Sequence, residues 1–235
     1  MKKTMVWIVG VGALVGIGVV AAMYFLQGGN SVTGRSKTVV SFIRKPEKHQ
    51  ELMIQAGSHC GQAPFLMPTT GMIGYVWNDS FRPGHHHTGL DIFSPDGLGL
   101  TPVYSVYDGY ITRLNGWKST VIIRHPEDPL NPGEQIWTYY THMADPDGKS
   151  FVVDEFPQGT TDVFIEAGTL LGYQGNYSGN PAKPTGIHLH ISIVKSSLSG
   201  SFLNESDIKN TLDPSPYFGF GLTNEKVGNE IPLCP

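Results

Sequence analysis

Cysteine, positive charge and long helical repeats are all scarce in this sequence, and each scarcity excludes a class of protein. With two cysteines among 235 residues and no CxxC pair, a cysteine-rich zinc module or a multi-disulfide scaffold is excluded. The formal net charge is −4, and the chain after residue 30 is more acidic still, because Lys2 and Lys3 precede it. This balance argues against a nucleic acid as the partner. No helix of ordinary length alternates with the strand-like runs, so βαβ architecture is not expected.

Charge is also missing from the apolar run Met5–Leu26, which follows Lys2 and Lys3. A helix rises about 1.5 Å per residue, so this run is long enough to cross a hydrocarbon core of about 30 Å. The preceding lysines favour a cytoplasmic N-terminus. We therefore predict a cytoplasmic segment over residues 1–4, a transmembrane signal-anchor helix over 5–26, and an extracytoplasmic C-terminal domain held at the cell membrane by this single span.

A cleavable signal peptide is the alternative, and it would make the protein secreted. Val20-Ala21-Ala22 offers small residues at a plausible cleavage site. We favour the uncleaved anchor because the apolar run continues to Leu26. Gly12 and Gly16 have the GxxxG spacing, which is a weak hint that two such helices pair.

Beyond the anchor, composition predicts a stalk followed by an all-β domain. Residues 27–51 are mostly polar and are interpreted as a stalk or linker, and residues 52–235 as the folded domain. The 29 glycines and 17 prolines of the sequence favour many short strands joined by tight turns. Strand-like runs recur over residues 103–114, 119–125, 135–143, 169–175 and 186–194.

The two cysteines, Cys60 and Cys234, lie near the two ends of this predicted domain. In an exported protein they are expected to form a disulfide that joins the entry of the domain to its exit. Two free thiols are the alternative in a reducing compartment.

A first pattern with chemical content is TGIHLHISIV, residues 185–194. Side chains alternate along a strand, so His188, His190 and Ser192 point to one face, and the intervening leucine and isoleucines point to the other. The apolar face is expected to join the core. The two histidines are candidate functional residues, with a structural role on a solvated face as the alternative.

A second pattern, PGHHHTGLDIF over residues 83–93, concentrates residues of the types that bind metals. His87 and Asp91 are four residues apart in a turn-like segment and can converge on one ion. A solvated polar loop is the alternative, but the apolar residues around Asp91 attach the segment to a core. A third pattern, WTYYTHM, places Tyr140 and His142 on one face of a strand and Tyr139 on the other.

The three segments together have the order and content of the lysostaphin-type zinc endopeptidases, which roughly residues 64–218 resemble. The HxGxD element of that family is matched by His87-Thr88-Gly89-Leu90-Asp91, its Tyr-x-His element by Tyr140-Thr141-His142, and its HLH element by His188-Leu189-His190. The resemblance implies an all-β fold, in which an antiparallel β-sheet forms a sandwich-like or barrel-like peptidase domain.

The same resemblance implies a role for each matched residue. His87, Asp91 and His190 would bind one Zn²⁺ per domain, and His142 and His188 would be the catalytic histidines. Two histidines and one carboxylate leave a fourth position on tetrahedral zinc, as a hydrolytic site requires. Proton transfer and oxyanion stabilisation would fall to the two catalytic histidines, because no glutamate accompanies the motif as in HExxH enzymes. Which of them is the base stays open.

Other polar residues near the motifs are not assigned to the metal. Tyr140 is expected either to hydrogen-bond near the site or to pack in the core. The remaining histidines are interpreted as loop residues, as structural residues or as residues without a role: His49, His59, His85, His86 and His125.

The resemblance implies a function in cell-wall remodelling, with peptidoglycan cross-links or stem peptides as the substrate. Two alternatives remain at this point: an exported peptidase that acts on other proteins, and a non-catalytic zinc-binding scaffold or regulator of the envelope. The acidic segment 144–165 is longer than the usual family connection. This insertion, or the stalk, is expected to be able to wall or block the substrate groove.

Overall fold

The computed structural model describes residues 34–80 and 83–235. The predicted transmembrane helix over residues 5–26 and the glycine pair Gly12 and Gly16 lie outside these ranges. Within the ranges, every helix is too short or too polar to traverse a lipid bilayer.

A seven-stranded antiparallel sheet dominates the structure, with strand order β1-β2-β9-β6-β5-β4-β7, and a small two-stranded sheet pairs β3 with β8. The predicted all-β class is confirmed, since the described helices are few and short. The strands are β1 (Met72–Tyr75), β2 (Leu90–Phe93), β3 (Pro102–Tyr104), β4 (Gly109–Thr112), β5 (Val121–His125), β6 (Ile136–Thr141), β7 (Val163–Ile165), β8 (Leu170–Tyr173) and β9 (His188–Lys195). The helices are α1 (Gly34–Arg44), α2 (Ser215–Phe218), α3 (Asn224–Val227) and the 3₁₀ turns Pro46–Lys48, Gln50–Leu52 and Ile208–Asn210.

Strand β9 lies between β2 and β6 in the large sheet, and this position explains why distant motifs meet. Its predicted alternation is correct: Leu189, Ile191 and Ile193 are buried in the main core, as expected for a half-apolar strand. On the other face His190 lies directly opposite Asp91 of β2 and opposite Thr141 of β6. The three motif segments are therefore neighbours in one sheet.

Helix α1 replaces part of the predicted stalk. Its Val39 and Phe42 are buried against Met72 of β1 and Phe93 of β2. The composition of residues 27–51 does not predict this helix, because only a few apolar side chains at helical spacing contact the sheet. Over its described part, this segment is packed on the sheet instead of extending away from it.

Arg35 of α1 strengthens this attachment. Its guanidinium is almost fully buried and forms an ion pair with Asp79 in the loop that follows β1. It also donates a hydrogen bond to the carbonyl oxygen of Gly228. Because a buried charge requires a partner, this pairing ties α1 to the loop.

The predicted disulfide is confirmed. Cys60 and Cys234 are bonded, and the bridge joins positions 174 residues apart in sequence. It links the segment before β1 to the C-terminal end of the chain.

The long acidic segment 144–165 follows directly after the third motif, and its Phe151 N–H donates a hydrogen bond to the carbonyl oxygen of Met143. Val152 and Phe156 insert into the main core, and β7 pairs with β4 at the edge of the sheet opposite β1. None of the described residues that line the two cavities beside the motifs belongs to this segment. The expectation that it walls or covers the groove stays a prediction.

Candidate metal centre

Three side chains from two motifs converge at the end of strands β2 and β9. The Nδ1 atom of His190 lies 2.9 Å from Oδ1 of Asp91, and the Nε2 atom of His87 lies 3.1 Å from the same oxygen. The two histidine nitrogens are 3.0 Å apart. These three atoms form a compact triangle that could hold a metal ion.

The backbone of the loop before β2 explains how His87 reaches this triangle. The His87 N–H donates to the carbonyl oxygen of Asp79, and the Asn78 N–H donates to the carbonyl oxygen of His87, each at 2.8 Å. The Nδ1 atom of the His87 ring lies 2.9 Å from the carbonyl oxygen of Val76. A carbonyl only accepts, so Nδ1 carries the proton and the lone pair of Nε2 points into the triangle.

Gly89, the glycine of the HxGxD element, is required by a close approach of the backbone. A Cβ atom at this position would lie 2.1 Å from the carbonyl oxygen of Ile191. Any side chain would therefore push the loop away from β9. Glycine allows His87 and Asp91 to stay beside His190.

The donor set fits a divalent metal ion of the zinc type. Ligand atoms on tetrahedral zinc, at about 2.0–2.1 Å from the metal, lie about 3.3 Å from one another. The observed separations of 2.9–3.1 Å need only a slight expansion. Two imidazole nitrogens and one carboxylate oxygen also match the ligand types of hydrolytic zinc sites.

Burial and neighbouring charges act in opposite directions on two side chains of the triangle. Burial opposes ionisation of Asp91, but His87, His188 and His190 outweigh it and hold the pKa of this carboxyl well below its usual range. Burial likewise opposes a charge on His190, but Asp91 and Glu205 outweigh it and raise the pKa of this imidazole to about 10. A metal that binds at His190 Nδ1 must therefore displace a proton.

Glu205 is a site residue that the sequence patterns did not identify. Its Oε1 atom lies 3.1 Å from Nε2 of His190 and accepts hydrogen bonds from the hydroxyls of Ser192, at 2.9 Å, and Thr88. Burial opposes its charge, but His190 and these hydroxyls lower the pKa of Glu205 to about 2. A carboxylate on the far nitrogen of a ligand histidine fixes the ring orientation and increases its basicity.

No local spacing connects Glu205 to the three motifs. It lies in a segment rich in serine and asparagine after β9, and the turn around residue 205 returns it to the strand. The only sequence signal is indirect: Ser192 continues the polar face of His188 and His190 and therefore requires a polar partner.

The remaining two motif histidines lie beside the triangle. Like His87, each is oriented by a backbone carbonyl group at Nδ1. Nδ1 of His188 lies 2.7 Å from the carbonyl oxygen of Gly186, and Nδ1 of His142 lies 2.6 Å from that of Tyr177. The two ring centroids are 4.4 Å apart, and Nε2 of His188 lies 3.6 Å from the Asp91 carboxylate.

Both of these imidazoles are neutral near pH 7. Burial and the neighbouring His188 and His190 lower the pKa of His142 to about 3. Burial also lowers the pKa of His188, although Asp91 opposes this. A neutral imidazole with its proton on Nδ1 can accept a proton at Nε2.

The prediction that Tyr140 and His142 share one face of a strand is wrong. Tyr140 is fully buried, and its hydroxyl oxygen accepts a hydrogen bond from the Val106 N–H, so it belongs to the core. His142 lies beyond the end of β6 with a φ of 72°, and this left-handed backbone turns its side chain towards the side of Tyr139 and Thr141. All three line the same cavity.

The histidines that are assigned neither to the metal nor to catalysis occupy three kinds of position. His125 is fully buried and lies within hydrogen-bonding distance of Asp108 and Thr138; burial lowers its pKa to about 4. His85 and His86 line the cavity beside the triangle. His49 and His59 lie apart from it and contact Ser41 and Ala63 respectively.

Two cavities meet at the triangle. Each is lined in part by His87, His142 and His190, and their volumes are about 460 Å³ and about 410 Å³. The larger is bordered mainly by polar side chains and is called the polar lobe; the smaller is bordered by α1 and Phe93 and is called the apolar lobe. A peptide that crosses the triangle would have one lobe on each side.

No protein-family model and no curated protein matches this chain. The similar solved structures include lysostaphin from Staphylococcus simulans, described as an antimicrobial peptidase, with a TM-score of 0.42, 18% identity and coverage of 63% of this chain and 49% of that one. A solution structure of lysostaphin gives a TM-score of 0.38, 22% identity and coverage of 69% and 56%. This chain thus spans about half the length of lysostaphin.

A third similar structure is the catalytic domain of EnpA, a prophage-encoded M23 protein from Enterococcus faecalis. Its TM-score is 0.37, with 19% identity and coverage of 64% of this chain and 96% of that one. All three TM-scores are below 0.5, so the functional assignment depends on the motif residues and their geometry.

Proposed function

We propose that this protein is a zinc-dependent endopeptidase that hydrolyses peptide bonds in peptidoglycan cross-links or stem peptides. The observation that carries the proposal is the triangle of His87, Asp91 and His190 with two further histidines beside it, each oriented by a backbone carbonyl group at Nδ1. The order of the three motifs, which resembles that of lysostaphin-type endopeptidases, supports the choice of peptidoglycan. We further propose that the domain is exported and held at the cell membrane by the predicted anchor.

In this proposal His87 Nε2, Asp91 Oδ1 and His190 Nδ1 hold the zinc ion. When bound, zinc supplies Lewis acidity at the reacting carbonyl and at water. Glu205 holds His190 in the required tautomer, and the Val76 carbonyl does the same for His87.

His142 and His188 would carry the proton transfers. As water adds to the carbonyl carbon, one Nε2 atom accepts the proton that the water loses. The other imidazole has no proton on Nε2 in the resting state, so it would take one from solvent water before donating a hydrogen bond to the carbonyl oxygen, and it would return that proton to solvent when the products leave. When the C–N bond breaks, the proton held on Nε2 passes to the departing nitrogen, which leaves as an amine.

The presence of a lobe on each side of the triangle favours an endopeptidase. Substrate can extend from the triangle into both cavities, so the scissile bond lies within a chain and not at its terminus. Short flexible peptides fit such a groove, because each lobe has to accommodate only a short piece of substrate backbone on its side of the triangle.

The test is digestion of purified peptidoglycan by the full-length chain in detergent micelles, with products identified by mass spectrometry. We expect new amine and carboxyl termini, and a loss of rate of about 10²–10⁴-fold in His142→Ala and His188→Ala. His59→Ala is the matched control, since His59 is exposed and lies apart from the triangle.

Two results would contradict the proposal in different ways. Cleavage of a denatured protein but not of peptidoglycan would assign the site to protein substrates. Metal binding without cleavage of either substrate would indicate a non-catalytic envelope protein.

A further inference from the structure

Helix α1 forms one side of the apolar lobe, although it lies outside the motif-bearing part of the chain. Val40 and Ile43 line this cavity together with His87, Asp91 and His188. Both side chains remain half-exposed, at 45% and 46%. Exposed aliphatic groups beside reactive residues are available to bind an apolar part of a ligand.

The opposite side of the helix fixes it in place. Val39 and Phe42 are buried on the sheet, and a Cβ atom on Gly74 of β1 would lie only 2.8 Å from Val39 Cγ2. The Arg35–Asp79 ion pair attaches the first turn to the loop that positions His87. Because these contacts are made by one face of α1, the helix is fixed on the sheet, and Val40 and Ile43 on its other side line the cavity.

Ile43 extends close to the catalytic histidine strand. A Cβ atom on Gly186 would lie 3.4 Å from Ile43 Cδ1 and 3.2 Å from Phe93 Cε1. The carbonyl oxygen of Gly186 orients His188, and the Phe93 ring stacks on His188 with a centroid separation of 5.2 Å. The apolar surface of α1 is therefore continuous with the side of His188.

The polar lobe on the other side of the triangle has a different chemistry. Hydroxyl groups of Thr88, Tyr139, Thr141 and Ser206 border it, and so does the Glu205 carboxylate. A substrate that crosses the site therefore meets an aliphatic surface on one side of the scissile bond and hydrogen-bonding groups on the other.

We propose that Val40 and Ile43 determine specificity by forming a subsite for an aliphatic side chain next to the scissile bond. The inference rests on the proposed peptidase function and adds a substrate preference to it. On the side of the bond that faces α1, a residue with a methyl or larger aliphatic group is preferred over glycine. The preference arises because this group and the two side chains of α1 are removed from water together.

The test uses the full-length protein and synthetic peptides that differ only at the residues flanking the cleaved bond, with glycine, alanine or leucine at each. We expect wild-type kcat/KM to favour alanine or leucine over glycine by roughly tenfold on one side of the bond. In Val40→Gln and Ile43→Gln this ratio falls to about twofold, mainly through a higher KM for the alanine and leucine peptides. Glutamine is chosen because it is a good helix former.

Val163→Gln is the matched control, because Val163 is 47% exposed on β7 at the far edge of the sheet. Ile43→Val, which keeps an aliphatic surface, is expected to retain most of the preference. An unchanged preference in both glutamine variants overturns the inference, and so does a rate increase on every peptide, which would show that α1 obstructs the groove. If the wild-type protein cuts neither these peptides nor peptidoglycan, the proposed function itself fails and the subsite with it.

Discussion

At the scale of single residues, each histidine of the site is oriented by a hydrogen-bonding partner at the ring nitrogen that points away from the site. Backbone carbonyl groups of Val76, Tyr177 and Gly186 lie at Nδ1 of three histidines. His190 is reversed: its Nδ1 faces Asp91, and its Nε2 faces Glu205. These partners fix the tautomers, so the free nitrogens converge on one small volume.

The first prediction concerns Glu205. Replacement by glutamine removes the negative charge that faces His190 Nε2 while nearly preserving the shape. We expect Glu205→Gln to lower zinc affinity by about 10–100-fold, as for other partners of metal-binding histidines. Competition with a chromophoric chelator measures the change.

Glu155→Gln serves as the control for this prediction, because Glu155 is an exposed carboxylate away from both lobes. Equal zinc affinities for the Glu205 and Glu155 variants would show that Glu205 does not support the ligand set.

Residue patterns predicted most of the candidate site, for a physical reason. His188 and His190 follow from strand alternation, and His87 and Asp91 from their spacing next to apolar residues. Glu205 could not be predicted, because it reaches His190 through a turn with no periodicity. The orientation of His142 was also missed, since a positive φ after the last residue of β6 breaks the alternation that the sequence suggests.

At the scale of elements, the position of β9 between β2 and β6 brings the motifs together. The presence of the strands is predictable from runs of β-branched and aromatic residues. The order of the strands in the sheet is not, because contacts between residues far apart in sequence decide which strands pair. Helix α1 is not predicted for a related reason. A short helix is stable only through its packing on other elements, and the mostly polar composition of this segment gives little sign of its few buried residues.

The second prediction tests whether α1 is an integral part of the folded domain. Phe42 is fully buried, so Phe42→Ala is expected to lower the free energy of unfolding by about 3–5 kcal/mol. Val40→Ala on the same helix should cost less than about 1 kcal/mol, because Val40 is half-exposed. Denaturant titration of the full-length protein in detergent measures both values.

Similar losses for the two alanine variants would contradict the packed position of α1. That outcome would restore the interpretation of this segment as a stalk and would remove the wall from the apolar lobe.

At the scale of the whole molecule, one main hydrophobic cluster and two smaller ones support a site on one face of the large sheet. The Cys60–Cys234 disulfide joins the segment before β1 to the C-terminal segment of the domain. A disulfide of this kind is typical of oxidising compartments, which supports the proposal that the domain is exported. The apolar run at residues 5–26 supports the same proposal from the sequence.

The central claim is that this fold brings His87, Asp91 and His190 together to bind one zinc ion. The most direct test is the metal content of the purified full-length protein by mass spectrometry, beside Asp91→Ala, His190→Ala and the control His59→Ala. We expect about one zinc per chain in the wild type and in the control, and almost none in the two ligand variants. Zinc-free wild-type protein after exposure to the metal, or ligand variants that retain zinc, would contradict the account.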